Sequence, residues 1–147
     1  MRVKRLGARD VAWVFRSADL FDEPPDRQAT ASYLRDRANI FLLAVEDGRA
    51  VGFLRGTALR QVRTRRAQMF LYEIGVLPKY RRRGIGRSLI ETLLRYCRRH
   101  GFEEVFVLTS PRNRAAVGLY RATGGTTETL ADRMFVYRLR DRARAGE

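Results

Sequence analysis

MFLYEIGVLPKYRRRGIGRSLIETLLRYCRRH, residues 69–100, is the stretch on which the fold turns. Its opening, 69–77, reads as an apolar strand that ends at Pro78. Residues 84–100 are the clearest helix of the chain. Ile85, Leu89, Leu93 and Cys97 make one stripe with Ile90 and Leu94 beside it, and Gly101 stops it. Between strand and helix run Arg81, Arg82, Arg83, Gly84, Ile85, Gly86, Arg87 and Ser88. Glycines beside a helix start expose backbone N–H groups without Cβ shielding. The first helical turn leaves several such donors unpaired, and the helix dipole adds positive potential. Arginines flanking the turn add charge and hydrogen bonds, so the segment reads as a diphosphate cradle. The plainer alternative is a tight turn eased by glycine, with solvated arginines.

Working outward, 2–6 is a first strand, and 8–21 is a helix that places Val11, Val14, Phe15, Ala18 and Phe21 at helical spacing. Pro24-Pro25 ends that run, and 27–37 is a second helix. Strands over 39–46 and 50–59 flank Asp47-Gly48, a hairpin turn signal. Beyond the central helix come a strand over 103–109 and a helix over 113–123 ended by Gly124-Gly125. Two strands are expected in 126–140, joined near Ala131-Asp132-Arg133. Residues 1–140 form a single domain and 141–147 a polar tail. The order predicts an α/β (α+β) fold, a largely antiparallel sheet with one parallel crossover. That crossover points a strand's C-terminus at a helix N-terminus, where ligands tend to bind.

The 147 residues are 45% apolar and 31% charged, enough to build a core and too apolar for disorder. The apolar run 40–45 is far short of the roughly 20 residues a membrane span needs, and MRVKRLGARD has no signal-peptide core. A single cysteine, Cys97, rules out an internal disulfide and a multi-cysteine zinc site, so no metal is expected. The chain reads as small, soluble and cytoplasmic. A net charge of +14 raises a nucleic-acid reading. The excess is nearly all arginine and is spread along the chain. No metal finger, RNP-like strand or helix-turn-helix accompanies the clusters at 63–66 and 81–83, so no nucleic-acid partner is expected. Cys97 reads as a core filler, and the lone His100 as a helix-end residue without a catalytic role.

Arg81-Arg82-Arg83-Gly84-Ile85-Gly86 resembles the Arg/Gln-x-x-Gly-x-Gly/Ala hallmark of the GNAT superfamily of acetyl-CoA-dependent N-acetyltransferases. Asn113, Ala116 and Tyr120 match a second feature of that family, Asn-x-x-Ala-x-x-x-Tyr, at the expected distance. The resemblance runs from the first strand to about residue 139. It implies a GNAT-type mixed, mostly antiparallel central sheet of six to seven strands flanked by about four helices. It also implies that acetyl-CoA is the acetyl donor, its pantetheine arm paired with the backbone of Ile74, Gly75 and Val76. The pyrophosphate would then lie on the N–H groups from Arg81 to Arg87, with Ser88 also at the cofactor site. Asn113 and Ala116 would meet the pantetheine end, and Tyr120 would protonate the departing thiolate. Tyr120 also fits as an ordinary aromatic packed on the sheet.

Direct attack needs a neutral amine, so a base must take a proton from the acceptor. Glu73, amid apolar neighbours in LYEIGV, fits a partly desolvated carboxylate biased toward a raised pKa, and the family commonly places its base there. The alternative is a sheet residue paired with one of the many arginines. Asp19, Asp22, Glu23 and Asp26 crowd the end of the first helix and the next loop, and with Glu73 and Asp132 they would form an acidic mouth. The plainer alternative is a solvated, helix-terminating loop. Asp19-Leu20-Phe21, the Tyr33-Leu34 pair and FLYEIGV resemble the aminoglycoside 3-N-acetyltransferases. Many of these carry an Asp pair where this chain has Arg112-Asn113-Arg114. The resulting expectation is acetyl transfer in a ternary complex to a primary amine of an aminoglycoside, at its 3-amino group, conferring antibiotic resistance. A GNAT enzyme acting on a protein N-terminus, peptide or small metabolite amine is the nearest alternative. A CoA- or nucleic-acid-binding module without turnover is another. Many relatives form homodimers through the last strands, and the resemblance allows the same here.

Overall fold

Six consecutive residues of one strand, Ile40 to Val45, are all buried, which puts that strand between two packed layers. The computed structural model describes residues 1–127 and 133–139. Its elements are β1 (Arg2–Arg5), α1 (Val11–Arg16), α2 (Arg27–Arg35), β2 (Asn39–Glu46), β3 (Arg49–Leu59), β4 (Gln68–Val76), α3 (Ile85–Arg99), β5 (Glu104–Phe106) and α4 (Arg114–Ala122). The strands form one sheet in the order β1-β2-β3-β4-β5. All neighbours are antiparallel except β4 and β5.

Side chains alternate across a strand, so the sheet has two separate cores. On one face Leu42, Val51, Leu54, Met69 and Leu71 meet the α3 stripe of Ile85, Leu89, Ile90, Leu93 and Cys97. On the other, Phe41, Leu43, Val45 and Phe53 lie beneath Trp13, Phe21, Tyr33 and Leu34 of the α1–α2 layer. A bulge between Arg55 and Gly56 sets Arg55 opposite Glu73 and Gly56 opposite Leu71, leaving Tyr72 as the extra residue of β4. The alternation therefore slips at Tyr72. Leu71 and Ile74 both pack toward α3 although they are three residues apart.

Several expectations are corrected. The described residues hold five strands, not six to seven. Residues 133–139 carry no strand, and Phe135, Tyr137 and Leu139 are exposed, so their apolar pattern finds no surface to pack on. Residues 128–132 and 140–147, with the expected turn at Ala131-Asp132 and the polar tail, lie outside the described residues. β5 is shorter than the expected 103–109 because it follows β4 only as far as Phe106. The first helix stops at Arg16 and gives way to a 3-10 turn over Ala18–Leu20. There the buried Ser17 hydroxyl donates to the Trp13 carbonyl and competes with the helix ladder. No helix among the described residues is long and apolar enough to cross a membrane.

Leu89 is 0% exposed and sits at the centre of the α3 core. Leu89→Ala should lower unfolding free energy by about 2–5 kcal/mol. Val62→Ala, at a fully exposed loop position, should change it by less than about 0.5 kcal/mol. Urea titrations of both variants check this.

Candidate active site

The parallel ladder between β4 and β5 has only three pairs: Gln68↔Glu104, Met69↔Val105 and Phe70↔Phe106. The Phe70 and Phe106 rings stack at 4.9 Å where the ladder ends. Past that point β4 keeps β3 on one edge, and no strand of the described residues lies on its other edge. Ile74, Gly75 and Val76 thus stand in a wedge whose open side offers backbone groups to an extended ligand, as an edge strand does. Gly75 is required there. A Cβ would come 2.8 Å from Cε1 of Phe53, the ring that fills the core beneath it.

The wedge opens onto the N-terminus of α3. Arg82 (φ 64°) and Gly84 (φ 80°) both take left-handed backbone, and Gly84 caps the helix without a side chain. The first helical bond runs from Ser88 N–H to the Gly84 carbonyl at 3.0 Å. The N–H groups of Ile85, Gly86 and Arg87 therefore have no acceptor among the described residues. Gly86 has a further role: a Cβ would come 3.0 Å from Leu119, so the glycine lets α4 close against α3. The arginines are more occupied than their charge suggests. Arg81 donates to the Val76 carbonyl at 3.2 Å, Arg83 lies 3.8 Å from Glu46, and Arg87 pairs with Glu91 at 2.9 Å. Arg82 has no such partner among the described residues. Uncapped donors at an exposed glycine turn, aligned with the helix dipole, fit the diphosphate of a CoA thioester. Ser88 lies one turn in, half-buried, with its carbonyl accepting from Thr92.

Asn113 caps α4, its side-chain oxygen accepting from Ala116 N–H at 3.1 Å, so these two of the second motif's three residues have a local structural job. Tyr120, two turns on, is half-buried against the α3 core. Burial raises its phenol pKa above the ordinary value, and its hydroxyl makes no hydrogen bond to a described residue.

Glu73 is ion-paired. Its Oε2 accepts from Arg55 Nε at 2.7 Å, directly across the strand pair. The Arg55 guanidinium lies 4.2 Å from the Tyr72 ring centre and 5.8 Å from that of Tyr33. Burial, the largest influence on Arg55, pulls its pKa down, yet the hydrogen bond and charge of Glu73 outweigh this and leave it raised. The Tyr33 hydroxyl lies 2.9 Å from the Gly56 carbonyl. Its pKa is raised by burial and partly relieved by Arg55. Arg55, Tyr33 and Tyr72 are site neighbours that sequence reasoning missed as such. The one available signal was a lone arginine inside the apolar run AVGFLRGTAL.

The expected acidic mouth is only partly assembled. Asp26 caps α2, accepting from Ala29 N–H at 2.7 Å. Asp19 pairs with Arg49 at 2.7 Å, at the hairpin end of β3, roughly 20 Å along the strand from Arg55. Asp22 and Glu23 are exposed in the loop after Phe21, whose ring packs on Phe53 at 4.9 Å. Asp132 lies outside the described residues. A concavity of about 310 Å³ between β1 and α3, lined by Arg2, Val3, Ser88 and Thr92 among others, is a hollow separate from the wedge.

Residues 7–124 match the acetyltransferase (GNAT) family model. The chain is 32% identical over 110 residues to N-acetyltransferase family 8 member 3 of Rattus norvegicus, covering 75% of this chain and 48% of that protein. It is 30% identical over 95 residues to N-acetyltransferase 8 of Homo sapiens, covering 65% and 42%. The chain thus spans about half the length of the curated relatives it matches. Among solved structures, one similar fold is the aminoglycoside acetyltransferase meta-AAC0020 from an uncultured soil metagenomic sample, crystallised with trehalose. It has a TM-score of 0.87 and 26% identity over 95% of this chain and 96% of that one. Another is AAC(6')-Iy in complex with the bisubstrate analog CoA-S-monomethyl-acetylneamine, with a TM-score of 0.76 and 25% identity over 95% and 97%. Sheet, wedge and uncapped helix agree with that match, and the chain belongs to the GNAT family of acetyltransferases, whose acetyl donor is acetyl-CoA.

Proposed function

We propose that the protein transfers an acetyl group from acetyl-CoA to a primary amine of an aminoglycoside, directly and within a ternary complex. The observation that carries the transfer is the open edge of β4 leading to the uncapped N-terminus of α3. The acceptor class rests on the likeness to aminoglycoside acetyltransferases over nearly the whole chain. Cys97 supports direct transfer: it is buried in the α3 core, and burial pushes its thiol up to about 11, so it is not a nucleophile at neutral pH.

Bound acetyl-CoA supplies an acetyl thioester and a thiol leaving group. The backbone of Ile74 to Val76 holds the extended arm, and the N–H groups of Ile85, Gly86 and Arg87 hold the diphosphate, with Arg82 free to add charge. Glu73 takes the proton that frees the acceptor's lone pair. As the C–N bond forms and the C–S bond breaks, Tyr120 gives its proton to sulfur, and the second proton lost by the acylated nitrogen passes through solvent to restore the phenol. Asp22 and Glu23 face solvent at the loop beside the edge-to-face Phe21–Phe53 pair and supply negative charge for a polyamine. Because Asp19 and Asp26 are spent on Arg49 and on the α2 cap, a smaller amine or a peptide N-terminus is the second reading.

Incubation with acetyl-CoA and kanamycin- or gentamicin-type acceptors should release one thiol per acetylated product, while peptides release none; the reverse pattern removes the aminoglycoside reading. NMR of the product separates 3-amino from 6′-amino acetylation. Glu73→Gln should lower kcat by about 10²–10⁴-fold with the acetyl-CoA dissociation constant unchanged in calorimetry. A wild-type rate would discard Glu73 as base. Since burial raises the Tyr120 pKa above 10.0, the phenol is fully protonated at neutral pH. On the alkaline side the kcat profile should fall only above that value, and Tyr120→Phe should remove this limb along with about 10²-fold of the rate.

A further inference from the structure

We infer that Arg55 is the positioning residue for the base: it clamps one carboxylate oxygen of Glu73 so that the other is presented to the acceptor amine. The inference rests on the reading of Glu73 as base. The cross-strand register sets the two residues face to face. The contact is single, Nε to Oε2 at 2.7 Å, and Oε1 takes no hydrogen bond from a described residue. The arginine is itself fixed. Tyr72, the bulged residue of β4, covers the guanidinium at 4.2 Å, and Tyr33 of α2 flanks it at 5.8 Å. Tyr33 is anchored in turn by its hydroxyl at the Gly56 carbonyl. The charged and titratable groups gathered around Glu73 are thus Arg55 from β3, Tyr33 from α2 and Tyr72 beside it.

Stability is a poor reason for this arrangement. The Arg55 and Glu73 side chains are 31% and 37% exposed, and partly exposed pairs contribute little to folding. Orientation is a better one. An isolated carboxylate on an open strand edge samples several rotamers, and only some aim an oxygen at an incoming amine. A planar guanidinium held against aromatic rings removes that freedom, which a flexible lysine does less well.

The test is a double-mutant cycle on the full chain with Arg55→Met, Glu73→Gln, the pair together, and Arg55→Lys. Arg55→Met should lower kcat by about 10²-fold. The acetyl-CoA dissociation constant, measured by calorimetry, and the urea midpoint should stay put. If Arg55 acts through Glu73, the double variant is no slower than Glu73→Gln alone, because the losses are not additive. Arg55→Lys should recover part of the rate. The inference is overturned if the double variant loses the product of the two single losses, or if Arg55→Met keeps the wild-type rate. Weakened acetyl-CoA binding in Arg55→Met would also overturn it. Should Arg55→Met fold poorly, Arg55→Gln completes the same cycle. A slow Glu73→Gln beside a normal Arg55→Met defeats the clamp alone; a normal Glu73→Gln defeats the base reading first.

Discussion

The separation of β4 from β5 after Phe70 is the constraint on which the rest of the site depends. A parallel pair requires a crossover, and α3 is that crossover, so its N-terminus must begin where β4 ends. Had the ladder continued past Phe106, the backbone groups of Ile74 to Val76 would be satisfied inside the sheet and nothing could be added there. Stopping the ladder early leaves that edge open, and it leads to the unpaired N–H groups of the α3 first turn. Three glycines make this geometry affordable to the packing. Gly75 sits on Phe53, Gly52 lies against Ile85, and Gly86 lies against Leu119, each where a Cβ would come within about 3.0 Å of a neighbouring side chain.

The bulge at Tyr72 then distributes the chemistry across the sheet. On one side of β4, Ile74 and Val76 join the α3 core, and Tyr120 packs against the same core from α4. Arg55, the cross-strand partner of Glu73, lies beside Tyr33, which belongs to the α1–α2 core on the other side. The acceptor and donor of the proposed mechanism thus have different surroundings: a carboxylate held by a guanidinium, and a half-buried phenol whose pKa burial raises. That division suits a reaction needing a base toward one reactant and an acid toward the other.

Features encoded locally were legible in the sequence, and those set by register were not. The α3 stripe from Ile85 to Cys97, the Asp47-Gly48 hairpin, the glycine turn before α3 and the α4 boundaries all follow from spacing and cap chemistry within a few residues. That Glu73 pairs with an arginine was one of the two readings of the sequence, but which arginine was not legible, because the pair joins two strands across a bulge and nothing in LYEIGV announces the extra residue. Asp26 and Asp19 read as binding acids on composition, but in the fold they answer nearer demands, an α2 N–H and Arg49. The helix expected over 8–21 failed for a local reason hidden by its apolar periodicity: Ser17 turns its hydroxyl back on the Trp13 carbonyl.

The same distinction governs the charge. A net +14 suggests that guanidinium groups capture the anion. In the cradle, however, Arg81, Arg83 and Arg87 are turned to Val76, Glu46 and Glu91. The fixed donors are backbone N–H groups whose direction is set by Gly84 and by the helix itself. Such dipoles cost little to reorganise when an anion arrives, whereas a long arginine gives up rotamer freedom to make each bond. In the proposed complex the arginines would supply a diffuse field that draws anions toward the surface, and the glycine turn would decide where the diphosphate stops. On the proposed reading, placement of the anion therefore rests on a few main-chain amides at the start of α3 rather than on the arginine side chains around them.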